Sequence, residues 1–183
     1  MHKNLHDDIQ EILFTEQQLQ LRVVQLGHAI RADYQDKEPL IIGVLRGSFI
    51  FMADLVRQID IPCRLDFITA SSYGSKSTSS GTITLKKEMD LDVEGRHVIL
   101  VEDILDTGNT LRFLVDLIKQ KNPASVEICT LLDKPSRREV DVEAKYIGFP
   151  VPNYFVVGYG LDYDDKYRSL PYIGVLKPEV YSD

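Results

Sequence analysis

The chain has 183 residues, 44% of them hydrophobic and 27% charged. That is enough apolar mass for one domain with its own core, and too balanced a composition for wholesale disorder. Lys and Arg number 21 against 28 Asp and Glu, a net charge of −7, which argues against a protein built to grip nucleic acid. Two distant cysteines, Cys63 and Cys129, and four histidines without ligand spacing argue against a disulfide scaffold and a structural zinc site. The N-terminus has no basic-then-apolar signal pattern. The longest uncharged stretch, Tyr146 to Leu161, is shorter than the ~20 residues a membrane helix needs. The expectation is a soluble cytoplasmic protein with no membrane and no nucleic-acid partner.

Thr15-Glu16-Gln17-Gln18 reads as a capping box. Behind it Leu19, Val23, Leu26 and Ile30 fall on one helical face, which predicts a helix over 16–33. The continuous apolar run 40–45 predicts a strand buried on both faces. Arg46-Gly47-Ser48 follows, then an apolar helix over 49–58. A strand over 64–70 leads into a serine-rich loop, 71–81, and a short strand over 82–85 returns from it as a long hairpin. Strands over 97–101 and 126–132 flank a helix over 110–120, and Phe155-Val156-Val157 is a late, short strand. This order predicts an α/β fold with a mostly parallel central sheet flanked by helices. Ligands bind such sheets at the carboxyl ends of the strands, so chemistry is expected in loops 46–48, 102–110, 133–138 and 158–168.

The stretch from Val98 to Thr110 carries the most information. A buried strand is expected to end in two acids, Glu102 and Asp103. Two apolar residues follow, then Asp106-Thr107-Gly108-Asn109-Thr110 opens a helix. Backbone N–H groups and hydroxyls at a helix N-terminus form an anion site, and Gly108 lets the backbone come close to a phosphate. Carboxylates beside a phosphate cradle make sense if they face sugar hydroxyls or a divalent cation. Taken singly, these residues are more often a cap and a solvated strand end.

This string resembles the phosphoribosyl pyrophosphate signature of the type I phosphoribosyltransferases. The resemblance implies that Glu102 and Asp103 face the ribose hydroxyls, and that Asp106, Thr107, Gly108, Asn109 and Thr110 hold the 5′-phosphate. Four further segments resemble the hypoxanthine-guanine branch of that family, and the resemblance spans roughly residues 10–176. Val44-Leu45-Arg46-Gly47-Ser48 implies a pyrophosphate grip through backbone N–H groups, with an unusual peptide there. A cis Arg46–Gly47 bond is the expectation. Ser72-Tyr73 implies a second pyrophosphate contact on a flexible hairpin loop that closes over the site. Leu131-Leu132-Asp133-Lys134-Pro135 implies that Lys134 donates to the exocyclic oxygen of a purine. Phe155 to Tyr163 implies that Phe155 stacks on the base, that the backbone of Val156 reads its edge, and that Asp162 helps bind Mg²⁺ beside the base, together with Glu102 and Asp103. Arg168 is implied to contact pyrophosphate.

By that resemblance the chain is a single domain. Its core covers about 36–150, and a small hood is formed by the N-terminal segment and about 151–183. The implied activity is purine salvage: a ribose 5-phosphate unit moves from phosphoribosyl pyrophosphate to N9 of hypoxanthine or guanine. Asp106 serves as proton acceptor and Mg²⁺ as cofactor, in a homodimer or homotetramer. The competing readings are an RNA-binding regulator on the same fold, which −7 of net charge disfavours, and a xanthine-preferring enzyme.

Overall fold

The computed structural model describes residues 4–72 and 83–182. A short 3-10 turn at Leu5–Asp8 leads into β1 (Ile9–Phe14). Thr15 then opens α1 (Glu16–Tyr34) with the anticipated capping box: its hydroxyl accepts from the Gln18 N–H, and Gln18 Oε1 accepts from the Thr15 N–H. β2 (Leu40–Val44) is buried along its whole length and feeds α2 (Phe49–Ile59). β3 (Arg64–Ser72) and β4 (Ile83–Lys87) form an antiparallel hairpin. After β5 (His97–Leu105) come α3 (Asn109–Lys119), β6 (Ser125–Asp133) and β7 (Tyr146–Pro150). β8 (Val156–Val157), β9 (Ile173–Leu176) and the four-residue α4 (Pro178–Tyr181) complete the order.

Six strands form one sheet in the order β4-β3-β2-β5-β6-β7. Every pairing is parallel except the β3–β4 hairpin. The sheet is covered on both faces, as the continuous apolar runs require. Ile99 and Val101 of β5 pack with Leu19, Val23, Leu26 and Ile30 of α1 and with Phe51 and Leu55 of α2. The neighbouring residues Val98 and Leu100 pack with Leu111, Leu114 and Ile118 of α3. These alternating side chains are almost wholly out of water, each worth roughly 1.5–3 kcal/mol of burial.

A second, three-stranded sheet has the order β1-β9-β8. It joins the start of the chain to its end, with Ile9 opposite Leu176 and Phe14 opposite Ile173. Beneath it Val157, Tyr167, Leu170, Tyr172 and Leu176 form a third apolar cluster.

Two expectations are corrected. β5 does not stop at Val101 but runs through both acids to Leu105, because β6 continues beside it: Glu102 pairs with Thr130 and Leu105 with Asp133. β2 pairs with β5 only as far as Val101, so Glu102 is level with the last residue of β2, Val44, and Asp103 lies just past it, inside β5 instead of after its end. The cis peptide bond is Leu45–Arg46, one bond earlier than expected. The expected loop 71–81 lies almost entirely outside the described residues, and so does Tyr73. Ser72 is the last residue of β3.

Candidate active site

The overhang of β5 and β6 past β2 opens a cleft at the carboxyl ends of the strands. A cavity of about 520 Å³ is lined by Asp103, Ile104, Asp106, Lys134, Phe155 and Asp162, among others. A second of about 210 Å³ adjoins it and shares Asp103, Ile104 and Asp106, reaching Gly47, Thr107, Gly108 and Thr110. The first has the dimensions and mixed lining of a small-molecule site. The second is a narrow polar recess at the N-terminus of α3.

The recess is built from the turn 106–110. Gly108 caps α3 with φ +87°, a left-handed conformation that glycine adopts freely. A Cβ there would come within 2.5 Å of Val142 Cγ1. The turn is pinned from outside by the loop after β6. The Glu139 N–H donates to Thr107 O at 2.9 Å, and Arg138 donates to Asp106 O at 2.6 Å and to the Asp133 carboxylate. Asn109 is placed at the first turn of α3, but its side-chain amide donates to Glu139 at 2.7 Å and so faces away from the recess.

Glu102 and Asp103 lie side by side under the junction of the two cavities. Burial pushes the Glu102 carboxyl well above the usual range, and the adjacent Asp103 charge adds to this. Asp103 is also raised by burial, against the opposing pull of its hydrogen bonds and of Arg168. One Asp103 oxygen accepts from the Ile104 N–H at 2.8 Å. The other covers Gly47 so closely that a Cβ on Gly47 would fall 1.7 Å from it. Gly160 is as tightly placed from the opposite side, where a Cβ would meet Gly47 O at 2.2 Å. The 46–48 turn is thus clamped between Asp103 and the 158–160 turn.

Two arginines reach the same rim. Arg46 donates to Asp165 Oδ1 at 2.5 Å. Arg168 donates to Gly160 O at 2.7 Å and lies 2.9 Å from Asp162 Oδ1 and 3.4 Å from Asp165 Oδ1. Asp165, which sequence reading passed over, therefore holds both cations. Asp162 is also partnered on its other oxygen, which accepts from the Asp165 N–H at 2.9 Å.

On the wider side of the cleft Lys134 is buried, with only 6% of its surface exposed. It donates to Tyr154 O at 2.6 Å. Burial lowers its pKa, and the Asp106 charge partly opposes that. Phe155 stands more open, at 38% exposure, and Leu176 N–H holds its backbone carbonyl at 2.8 Å. Val156 is buried and pairs with Val175 of β9. Arg137 is a further site residue that sequence reading missed. Its Nε stands 2.9 Å from Asp106 Oδ1 as an ion pair, but that buried oxygen takes no hydrogen bond among the described residues. The signal was available in the run Lys134-Pro135-Ser136-Arg137-Arg138, which puts three cations just past a strand end.

Among the described residues no three acidic, His or Cys side chains stand close enough to hold a metal ion by themselves. The oxygen donors of Asp162, Glu102 and Asp103 are the hard type that Mg²⁺ takes, usually one or two carboxylates with the rest from substrate and water.

Similarity to known proteins agrees with this geometry. A phosphoribosyl transferase domain model matches residues 10–164. The hypoxanthine-guanine phosphoribosyltransferase of Bacillus subtilis (strain 168) is 51% identical over 174 residues, 95% of this chain and 97% of the relative. The bifunctional protein TilS/HprT of Listeria innocua serovar 6a is 50% identical over 182 residues; the match takes in all of this chain, which spans only 28% of that relative's length. A crystal structure of a hypoxanthine phosphoribosyltransferase from Staphylococcus aureus superposes with a TM-score of 0.95 at 46% identity, covering 100% of both chains. A parallel sheet with two acids on its overhanging strand, a phosphate-sized turn at the next helix and a match along most of the sequence have one common explanation: the chain belongs to the phosphoribosyl transferase domain family and has its type I fold.

Proposed function

We propose that the chain transfers the 5-phosphoribosyl group from phosphoribosyl pyrophosphate to N9 of hypoxanthine or guanine, releasing pyrophosphate. The observation that carries this is the convergence of Lys134 and Asp106 on the cleft that Phe155 also lines, next to the recess under α3. A 6-oxopurine presents an exocyclic oxygen that Lys134 can serve as donor and a ring N–H from which the Asp106 carboxylate can accept. Adenine presents an amino donor where Lys134 needs an acceptor.

The 5′-phosphate fits the turn at Asp106, Thr107, Gly108 and Thr110, where N–H groups and the α3 dipole favour an anion. Asn109 contributes through its backbone, since its amide is committed to Glu139. Glu102 and Asp103 face the ribose hydroxyls. The pyrophosphate lies against the 46–48 turn, near Arg46 and Arg168; Ser72 and Tyr73 are proposed as further contacts to it. Breaking the C1–O bond leaves positive charge on the ribose, as in glycoside cleavage. Donors aimed at the leaving group lower that barrier. Mg²⁺, held by Glu102, Asp103 or Asp162 with substrate oxygens, would offset charge on the pyrophosphate when bound. Asp106 takes the proton that the base loses, and Lys134 stabilises charge that moves to the exocyclic oxygen.

In this reading the six-stranded sheet is the core of one domain, and β1, β8 and β9 form a hood over the base. Exposed Phe49 and Leu65 support a homodimer or homotetramer, working in the cytoplasm where phosphoribosyl pyrophosphate is made. The test is the purified protein with Mg²⁺, phosphoribosyl pyrophosphate and four purines in parallel. IMP and GMP should form from hypoxanthine and guanine, and no AMP from adenine. Failure to turn over hypoxanthine and guanine, or a preference for adenine, would overturn the proposal; turnover of xanthine alone would overturn it in favour of a xanthine-preferring enzyme.

A further inference from the structure

Phe155 is not a lone ring. Tyr181, the last residue of α4, stacks on it with ring centroids 4.6 Å apart and planes 20° from parallel. Tyr163 meets it edge-on at 5.5 Å and 88°. Both Phe155 and Tyr181 line the wider cavity. The same end of the chain also holds the Phe155 backbone, through the Leu176 N–H. α4 is itself tied down: the Lys177 N–H donates to Asp8 O at 3.0 Å, its ammonium donates to Asp7 O at 2.7 Å, and Val180 and Tyr181 pack on the cluster of Tyr167, Tyr172 and Leu176.

A purine inserted between two rings needs a gap of roughly 7 Å, two layers of van der Waals contact. The observed 4.6 Å excludes that, so one face of Phe155 is taken and a base has only the other. We infer that Tyr181 is a positioning residue for base binding: it backs Phe155 from behind, fixes the ring plane, and so presents one stacking face to the 6-oxopurine. Phe155 stands open to solvent just before the two-residue strand β8, where χ rotations would otherwise be lost on binding. Ordering them beforehand lowers that cost. This inference rests on the stacking role proposed for Phe155.

The test is steady-state kinetics on the full chain, varying hypoxanthine and phosphoribosyl pyrophosphate separately, with thermal melts alongside. Phe155→Ala, Tyr181→Ala, Tyr181→Leu and Tyr181→Phe are compared. Tyr181→Ala should raise KM for hypoxanthine roughly 2- to 10-fold, the worth of one aromatic pair, with kcat and the other KM within about twofold. Tyr181→Leu keeps apolar volume under the hood but no flat ring, so it should melt like the parent and still raise that KM. Tyr181→Phe should restore it. An unchanged hypoxanthine KM in Tyr181→Ala and Tyr181→Leu overturns the inference. So does a lowered KM, which would make Tyr181 a placeholder, and so does an equal rise in both KM values. If Phe155→Ala leaves the hypoxanthine KM unmoved, the stacking role itself falls, and the brace with it. A strong effect of Phe155→Ala with silent Tyr181 variants sinks the brace alone.

Discussion

Arg137 Nε lies 2.9 Å from Asp106 Oδ1, and that oxygen is buried without a hydrogen bond among the described residues. A buried acceptor without a hydrogen bond costs roughly 1–3 kcal/mol, and only the Arg137 ion pair offsets that here. Arg137 is about half exposed, and such pairs contribute only ~0–1 kcal/mol. The cation thus keeps the carboxylate company without satisfying it.

Asp106→Asn and Arg137→Gln should therefore differ widely. The Asn variant keeps the turn, because Arg138 and Glu139 pin it through the carbonyls of Asp106 and Thr107. It loses the proton acceptor, and kcat should fall ~10²–10⁴-fold, with phosphoribosyl pyrophosphate binding retained. Arg137→Gln should change kcat/KM for hypoxanthine by less than about fivefold. Single-turnover rates for both variants decide it: near wild-type turnover by Asp106→Asn removes Asp106 from the chemistry.

Lys134→Met tests base selection. The ammonium is buried and its pKa is pulled down by burial, so replacing it relieves a desolvation cost while leaving Tyr154 O without its donor. These opposing effects should leave the melting temperature nearly unchanged. Guanine and hypoxanthine should lose their donor, at about 5–150-fold in kcat/KM. Unchanged guanine kinetics would reduce Lys134 to a structural tie between β6 and the Tyr154 loop.

Gly47→Ala tests the clamp. Its Cβ would lie 1.7 Å from Asp103 Oδ2 and 2.6 Å from Cγ. Asp103 is held on its other oxygen by the Ile104 N–H, so relief must come from moving the 46–48 turn. Overpacking of this kind costs roughly 1–3 kcal/mol. The site should bear that cost more than the hydrophobic core, which Gly47 does not enter. Titration with phosphoribosyl pyrophosphate plus Mg²⁺ should show weaker binding than wild type with a melting temperature lowered only slightly. Equal affinity would mean that this turn does not meet the ligand.

The elements legible in the sequence are those whose cause is local. The capping box at Thr15, the face Leu19–Val23–Leu26–Ile30 and the buried run of β2 each carry their own signal, and each is found as expected. β1 and β9 are not legible, because each is a strand only by pairing with the other across the length of the chain, and β1 has no alternation of buried and exposed positions. β7 is hidden by its own Gly148 and Pro150. The end of β5 was misplaced because two acids look like a strand boundary, whereas parallel pairing with β6 carries the strand through them. In the site, Glu102, Asp103, Asp106, Thr107, Gly108 and Thr110 of the signature string line one recess, while the Asn109 side chain turns to Glu139. Asp165 and Tyr181 were missed because a lone acid or ring in a polar segment has no pattern until tertiary contact gives it a partner; Arg137 stands in a visible run of cations, but its partner Asp106 lies on another loop.

The buried acid pair predicts an opposition between stability and function. Burial, reinforced by Asp103, raises the Glu102 pKa well above its ordinary value, and burial raises Asp103 too. Between the ordinary carboxyl range and the raised native one, the folded protein binds more protons than the unfolded chain. The contribution of the pair is therefore fully present below the ordinary range and is lost as pH rises through the raised one. Glu102→Gln removes one of the two ionisations and keeps the shape. Its melting temperature should exceed that of the wild type at about pH 8, and the advantage should shrink as pH falls through the raised native range, where the wild-type pair takes up protons. The same variant should lose part of the extra stabilisation that Mg²⁺ with phosphoribosyl pyrophosphate gives the wild type, since binding partners of a charged pair stabilise only the state that offers it. Melts across pH, with and without that ligand pair, read both effects. A Gln variant less stable than wild type at the higher pH would show that Glu102 is satisfied as a carboxylate and is no strained ion.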